Sequence, residues 1–170
     1  LRWLDDRLRI RDVAGRTPRA VAEVLEAAYV GVYPFVLLAL VLYLQFSPSP
    51  DSDKFWSVVL ITDLLCFAVL PWVQTRPPRA LEAGEPWESS IRQFNLRLLG
   101  ATSIQVNTFP SGHAAEGLAA FLLALAAPPG VVAAMFLAAV AVSAGAVLGR
   151  YHYLADALAG WVVALGVFWL

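Results

Sequence analysis

Charge is scarce in this chain. Only 15% of its 170 residues are Asp, Glu, Lys or Arg, against about 25% in an ordinary soluble domain. There is one cysteine, Cys66, which excludes an intrachain disulfide framework and a cysteine-rich metal site. Net charge is nearly absent as well. Twelve basic against 13 acidic residues leave −1 at pH 7, so the basic footprint of a nucleic-acid binder is missing. Disorder is excluded from the other direction, because 59% of the residues are hydrophobic and mean hydropathy is +0.67, far too apolar for an unfolded polar chain. The length allows one domain. What is present, then, is the composition of an integral membrane protein.

The few charges are clustered. Eleven of the 25 fall in residues 1–26 and seven more between Arg76 and Arg97. A spanning helix needs about 20 mostly apolar residues, so the gaps between charges mark candidate spans. Residues 27–46 are uncharged and follow Thr17-Pro18, a capping hydroxyl and a proline suited to a helix start. Pro34 predicts a kink in that span. Residues 55–73 make a second span with Asp63 its only charge. Residues 117–148 run 32 positions without a charge, too long for one crossing, and Pro128-Pro129-Gly130 divides them. The spans on either side are 111–127 and 131–148, and 151–170 is the last. The expected fold is an all-α, polytopic transmembrane bundle of five helices. No cleavable signal pattern stands at residue 1. The chain begins at Leu1 rather than Met, which leaves room for a sixth span upstream.

Two further segments are expected to lie on the membrane surface. Leu1, Leu4 and Leu8 share a helical face beside Trp3 and several arginines, the pattern of an interfacial helix. Ile91, Phe94 and Leu98 repeat at i, i+3, i+7 beside Arg92 and Arg97. An ordinary amphipathic helix packed on the bundle has the same pattern. Residues 1–17 are accordingly read as an arm and 18–170 as the transmembrane domain.

The polar residues at the helix ends carry the chemistry. Arg76 and Arg79 follow the second span, Ser111, Gly112 and His113 open the third, and Arg150, His152 and Asp156 lie between the fourth and fifth. Counting crossings brings all three groups to one membrane face. Any one arginine at a span end can be a headgroup anchor, and a lone interfacial histidine is more often packing than catalysis. Both histidines of the chain, three arginines and an aspartate on one face make a stronger pattern, since ionisable groups in a membrane are functional candidates. Arginines beside a helix N-terminus form an anion site. Gly112 lets the backbone approach the anion and Ser111 adds a hydroxyl. His152 and Asp156 are i, i+4, so the carboxylate can orient the imidazole. An imidazole so oriented can attack phosphorus while the second histidine protonates the leaving oxygen. The set suffices for phosphoryl transfer with no metal and no cofactor.

These residues resemble a known family. FPSGHAA (109–115) is similar to the second signature of the type 2 phosphatidic acid phosphatase superfamily, TRPPR (75–79) to its first, and RYHYLADALAG (150–160) to its third. The resemblance covers about residues 55–170. It implies His152 as nucleophile forming a phosphohistidine, oriented by Asp156. It implies His113 as general acid and then base, and Arg76, Arg150, Ser111 and the Gly112 amide as holders of the phosphoryl oxygens. The chain departs from the usual signatures at Val69, where a lysine is usual, and at Ser143 and Ala146, where Ser-Arg is expected six residues before the histidine. Arg79 and Arg150 are the substitutes. The Pro-Pro-Arg and Arg-x-His-x-x-x-Asp variants are similar to the branch containing inositol phosphorylceramide synthase, which includes lipid phosphotransferases.

The expected function is hydrolysis of a lipid phosphate monoester or pyrophosphate, with transfer of a phospho-head group to an alcohol as the alternative. A metal-dependent membrane hydrolase stays open, because His113-x-x-Glu116 and His152-x-x-x-Asp156 have ligand spacing, although converging arginines would repel a dication. A non-catalytic lipid-binding protein is the remaining class. A serine hydrolase centred on Ser111 lacks the G-x-S-x-G elbow, and the vanadate-dependent peroxidases that share these signatures are soluble. Glu116 can tune His113 or bond the bundle, and Asp63 is read as a packing residue. The expected partner is a membrane lipid phosphate, not nucleic acid. Positive-inside counting puts the arginine-rich face in the cytoplasm, but phosphate binding explains those arginines, so the expected active face is extracytoplasmic.

Overall fold

The computed structural model describes residues 1–102 and 108–170. Among them the regular structure is all helical: α1 (Arg2–Arg7), α2 (Ile10–Gly15), α3 (Arg19–Val30), α4 (Val32–Phe46), α5 (Ser52–Val69), α6 (Ser90–Thr102), α7 (Gly112–Leu123), α8 (Pro129–Leu148) and α9 (Leu154–Phe168), with a short 3₁₀ turn at Pro78–Ala80. The starts follow local chemistry. Asp51 caps α5 by accepting from the backbone N–H groups of Asp53 and Lys54, and Ser111 caps α7 by accepting from Ala114. Pro129 occupies the first turn of α8, where its missing N–H costs nothing.

The five-span bundle is not what these residues build. Among the described residues, one helix, Pro129–Leu148, is both long and apolar enough to cross a membrane, or two if the bent pair Arg19–Val30 and Val32–Phe46 counts as one. The reason is that a gap between charges measures chain, not continuous helix. The first expected span is broken at Gly31 by a 65° bend. Pro34 explains the place of the break, because its ring would clash with the carbonyl four residues earlier, on Val30. The helix therefore restarts before the proline instead of kinking at it. Thr17 also departs from expectation. Its hydroxyl donates back to the Val13 carbonyl and so closes α2, leaving Pro18 to precede α3. α5 carries Asp53, Lys54 and Asp63 within its 18 residues, and α7 and α9 are only 12 and 15 residues long.

α7 lies at the centre, packed against α4, α5, α8 and α9. Its sequence explains why: Gly117, Ala114, Ala115, Ala119 and Ala120 are all buried, and small side chains let neighbouring backbones come close. The main core gathers Phe35, Tyr43, Phe55, Leu118 and Met135 around it. Two glycines set the closest crossings. A Cβ on Gly160 of α9 would run into the Ser111 carbonyl oxygen, and one on Gly145 of α8 into that of Leu25. Both are impossible contacts, so α9 meets the start of α7 and α3 meets α8 only because these residues lack a side chain.

The two expected surface segments both turn a polar face inward. α1 and α2 are separate short helices, broken at Arg9 with φ 51°. Leu1, Trp3 and Leu8 are exposed while Asp5 is buried. In α6 the buried residues are Arg92 and Asn95, and Phe94 of the expected apolar stripe is exposed. The buried Glu26 on α3 is the cause. Its carboxylate accepts from Trp87 Nε1 at 2.9 Å, Arg92 at 2.9 Å, Asn95 at 2.7 Å and the Tyr151 hydroxyl at 2.6 Å. A buried carboxylate demands donors, and α6 supplies two of them.

Candidate active site

The chain makes a tight corner between α8 and α9, and this corner presents the second histidine. After Gly149 closes α8, Arg150 takes the left-handed conformation at φ 60°. The Arg150 N–H bonds back to Val147, and those of Tyr151 and His152 to Ala146. This is a Schellman-type ending with arginine where glycine is usual, a conformation disfavoured by roughly 1 kcal/mol or more for a residue with a Cβ. The side chain holds it there. Arg150 donates to Asp5 at 2.6 Å and, through two nitrogens, to Glu82 at 2.5 and 3.1 Å. Burial alone would lower its pKa, but hydrogen bonds and charge from Glu82 and Asp5 leave it above the ordinary arginine value. Asp5 also accepts from the Leu154 N–H at the start of α9. The guanidinium expected to grip an anion is instead taken up by two carboxylates, one of them from the N-terminal arm.

His152 stands on the other side of that corner, half-buried. Its Nδ1 lies 2.9 Å from the Thr108 carbonyl oxygen. A carbonyl only accepts, so Nδ1 carries the proton and Nε2 keeps the lone pair. Asp156, the expected orienting group, is 3.6 Å from Nδ1, beyond hydrogen-bond length. Its Oδ2 accepts from the Tyr153 N–H at 2.9 Å, and its Oδ1 has no hydrogen-bond partner among the described residues. The carboxylate therefore starts α9 and places negative charge beside the imidazole, while the carbonyl makes the contact.

His113, one residue into α7, faces His152 with ring centroids 6.4 Å apart. It makes no hydrogen bond to another described residue. Aromatic contacts hold it: its ring stacks on Tyr29 at 4.4 Å and 7°, and meets the edge of Tyr33 at 5.8 Å. Tyr29 stacks on Tyr151 in turn, at 4.2 Å, and Tyr151 is anchored by Glu26. A column of rings thus ties one imidazole to the buried carboxylate network. Beside it a small recess lined by Tyr33, Leu98 and Leu99 opens against His113.

The arginine loop after α5 approaches from the third direction. Thr75 Oγ1 accepts from the Thr108 N–H at 2.8 Å and lies 3.1 Å from the Thr108 hydroxyl. Arg76 is exposed and makes no hydrogen bond or ion pair to another described residue. Arg79 has its guanidinium 5.4 Å from the Tyr151 ring centroid and its backbone N–H on the Arg150 carbonyl. Burial lowers its pKa from the ordinary value, yet arginine stays charged. Ser111 is fully buried, its hydroxyl spent on capping α7 and its N–H donated to the Asp156 carbonyl. Gly112 is half-buried, and a Cβ there would lie 3.3 Å from Asp63 Oδ1. Asp63 thus sits against the α7 N-terminus.

The structure brings His113, His152, Asp156, Gly112 and the 75–79 loop together and turns the Arg150 guanidinium away. Tyr29 and Thr108 were not singled out from sequence, although Thr108 directly precedes the second motif, and Thr75 entered only as the first residue of TRPPR with no role of its own. Among the described residues no three His, Cys, Asp or Glu side chains converge on a possible metal position.

A small all-α protein with two facing imidazoles, an arginine loop and a helix N-terminus has the parts of a phosphoryl-handling site. A family model described as the PAP2 superfamily matches residues 7–170, and the chain belongs to that superfamily, whose fold is that of the type 2 phosphatidic acid phosphatases. No curated protein and no solved structure matches the chain.

Proposed function

We propose that this protein is a metal-independent lipid phosphatase that works through a phosphohistidine at His152. The observation that carries the reading is the Nδ1 contact of His152 with a backbone carbonyl, which leaves Nε2 as a nucleophile opposite a second imidazole. In the first step Nε2 attacks phosphorus, the N–P bond forms and the bond to the lipid oxygen breaks. His113, whose pKa burial and the neighbouring His152 lower to about 3, takes up a proton together with the anionic substrate and gives it to that oxygen. In the second step His113, now neutral, takes a proton from water. The resulting oxygen nucleophile displaces His152 and releases phosphate.

Arg76, Arg79 and the Gly112 amide hold the phosphoryl oxygens, where negative charge must be stabilised in the transition state. Ser111 contributes by fixing the helix start that presents the amide. Arg150 joins this set only by leaving Asp5 and Glu82. Superfamily membership supports a lipid substrate, and α8, long and apolar enough to cross a membrane, fits a membrane location. Exposed Leu37, Val41, Leu64, Leu137 and Val162 point the same way. The reading puts the protein at a membrane with its catalytic face outside the cytoplasm. The Arg-x-His-x-x-x-Asp variant also favours a second outcome, in which an alcohol replaces water in the second step.

The test is turnover by the purified chain in mixed micelles of phosphatidic acid or polyprenyl phosphate, with and without an alcohol acceptor, in excess chelator. Phosphate release and an acid-labile phosphoenzyme are expected. Loss of turnover in chelator, restored by zinc or magnesium, would overturn the mechanism. A phosphorylated alcohol as the main product would replace hydrolysis by transfer.

A further inference from the structure

We infer that Thr75 is a positioning residue for His152: its hydroxyl brackets Thr108 so that the Thr108 carbonyl holds the imidazole in its Nδ1–H form. The inference rests on the phosphohistidine reading for its consequence in turnover, but not for its geometry.

The bracket is a double contact between residues 33 positions apart. Thr75 Oγ1 accepts from the Thr108 backbone N–H at 2.8 Å and lies 3.1 Å from its hydroxyl. Thr108 is buried, so its amide must find an acceptor within the protein, and the Thr75 oxygen is that acceptor. Holding the Thr108 N–H and hydroxyl restrains the residue whose carbonyl lies 2.9 Å from His152 Nδ1. Asp156 cannot do the same work at 3.6 Å with one oxygen already committed to the Tyr153 N–H. The tautomer matters because the two ring nitrogens have opposite roles. With the proton on Nδ1, Nε2 has a lone pair to attack with; with the proton on Nε2, it has none.

The bracket also explains the placement of a threonine directly before Arg76. One side chain ties the loop that carries the arginine to the residue that orients the nucleophile. These hydrogen bonds add to the Arg79 N–H bond to the Arg150 carbonyl, which ties the same loop to the corner that carries His152.

Two measurements on the full chain in micelles test this. The protein has only two histidines, so ¹⁵N-histidine labelling gives two rings, distinguished by repeating the spectrum on His113→Gln. Wild-type His152 is expected as the Nδ1–H tautomer. Thr75→Val, which keeps the shape and removes the hydroxyl, is expected to lose that signature and to lower kcat about tenfold with KM within about twofold. Thr75→Ser, which restores the hydroxyl, is expected to recover both. If the valine variant does not fold, Thr75→Ala takes its place, and the wild-type tautomer reads the bond with no variant at all. An Nε2–H tautomer in the wild type overturns the proposal, and so does a Thr75→Val protein with the wild-type tautomer and kcat. The tautomer shift without any turnover of lipid phosphate would keep the bracket and sink the phosphatase reading. Equal turnover and an unchanged tautomer in both variants would keep the phosphatase and sink the bracket.

Discussion

Two polar clusters lie side by side in this protein, joined by the ring of Tyr151, and they are completed in opposite ways. In the first, the Glu26 carboxylate receives four hydrogen bonds from Trp87, Arg92, Asn95 and Tyr151, and Arg92 also donates to Glu85 and to the Gly149 carbonyl. In the second, among the described residues, His113 has only ring contacts, Asp156 Oδ1 has no partner, and Arg76 is exposed without one. Burial makes unmatched polar groups costly, so a fold retains them where something else is to complete them. The protein supplies nearly every partner in the first cluster: Arg92 Nη2 pairs with Glu85, and Asn95 Oδ1 is the buried atom left without a hydrogen bond among the described residues. In the second, under the proposed function, the missing partners are left to a substrate.

Substitutions in the two clusters should therefore move different observables. The largest effect is expected from His152→Ala, which should lower turnover by at least about 10³-fold, because the covalent route is lost. Its thermal midpoint should hold, since the ring is half-buried and makes a single hydrogen bond. A variant with residual activity near wild type would move the nucleophile elsewhere.

Glu26→Leu should do the reverse. It leaves Arg92 without its buried acceptor and is expected to cost about 3 kcal/mol of stability, measured by denaturant unfolding. Whatever folded fraction remains should still turn over substrate. If stability were unchanged and kcat collapsed, the two clusters would be one catalytic unit and the contrast would fail.

Arg76→Ala is expected to lower kcat/KM about 10²-fold, as loss of one charge-stabilising donor does, with no change in unfolding. Arg150→Met sharpens the point, because its guanidinium bridges Asp5 and Glu82. That change should register first in the unfolding curve. A larger kinetic than thermodynamic effect would show that Arg150 leaves its carboxylates to meet the substrate.

The smallest effect belongs to the ring column that joins the clusters. Tyr29→Leu removes a stacking contact worth about 1 kcal/mol and should slow turnover about fivefold. Tyr29→Phe, which keeps the ring, should match wild type. A null result for Tyr29→Leu would mean that His113 is held by its own helix alone.

The motif residues were readable from sequence because their chemistry is local. PSGH puts a capping serine, a small residue and an imidazole within one helical turn, and His152 and Asp156 share a face by spacing alone. All-helical structure was readable for the same reason, from apolar runs broken by Pro-Gly turns. The span count was not, because charge-free sequence does not reveal where a helix bends: Gly31, forced by Pro34, divides one apolar run, and α7 ends at Leu123 although no charge stops it.

The amphipathic faces misled in the same way. Ile91, Phe94 and Leu98 form the more apolar stripe of α6, yet Arg92 and Asn95 are buried, because Glu26, 66 positions before Arg92, needs their protons. Nothing in the local sequence of either segment contains the other's demand.

By itself, then, the sequence determined the inventory: two histidines, a capped helix start, an arginine loop, and enough small residues to let helices meet closely. Tertiary structure decided the partners. It gave the His152 proton to the Thr108 carbonyl rather than to Asp156, spent Arg150 on Asp5 and Glu82, and left Arg76 exposed. Hydrogen bonds and ion pairs act over about 3 Å, so which groups satisfy one another depends on where distant segments are brought together, and only packing decides that.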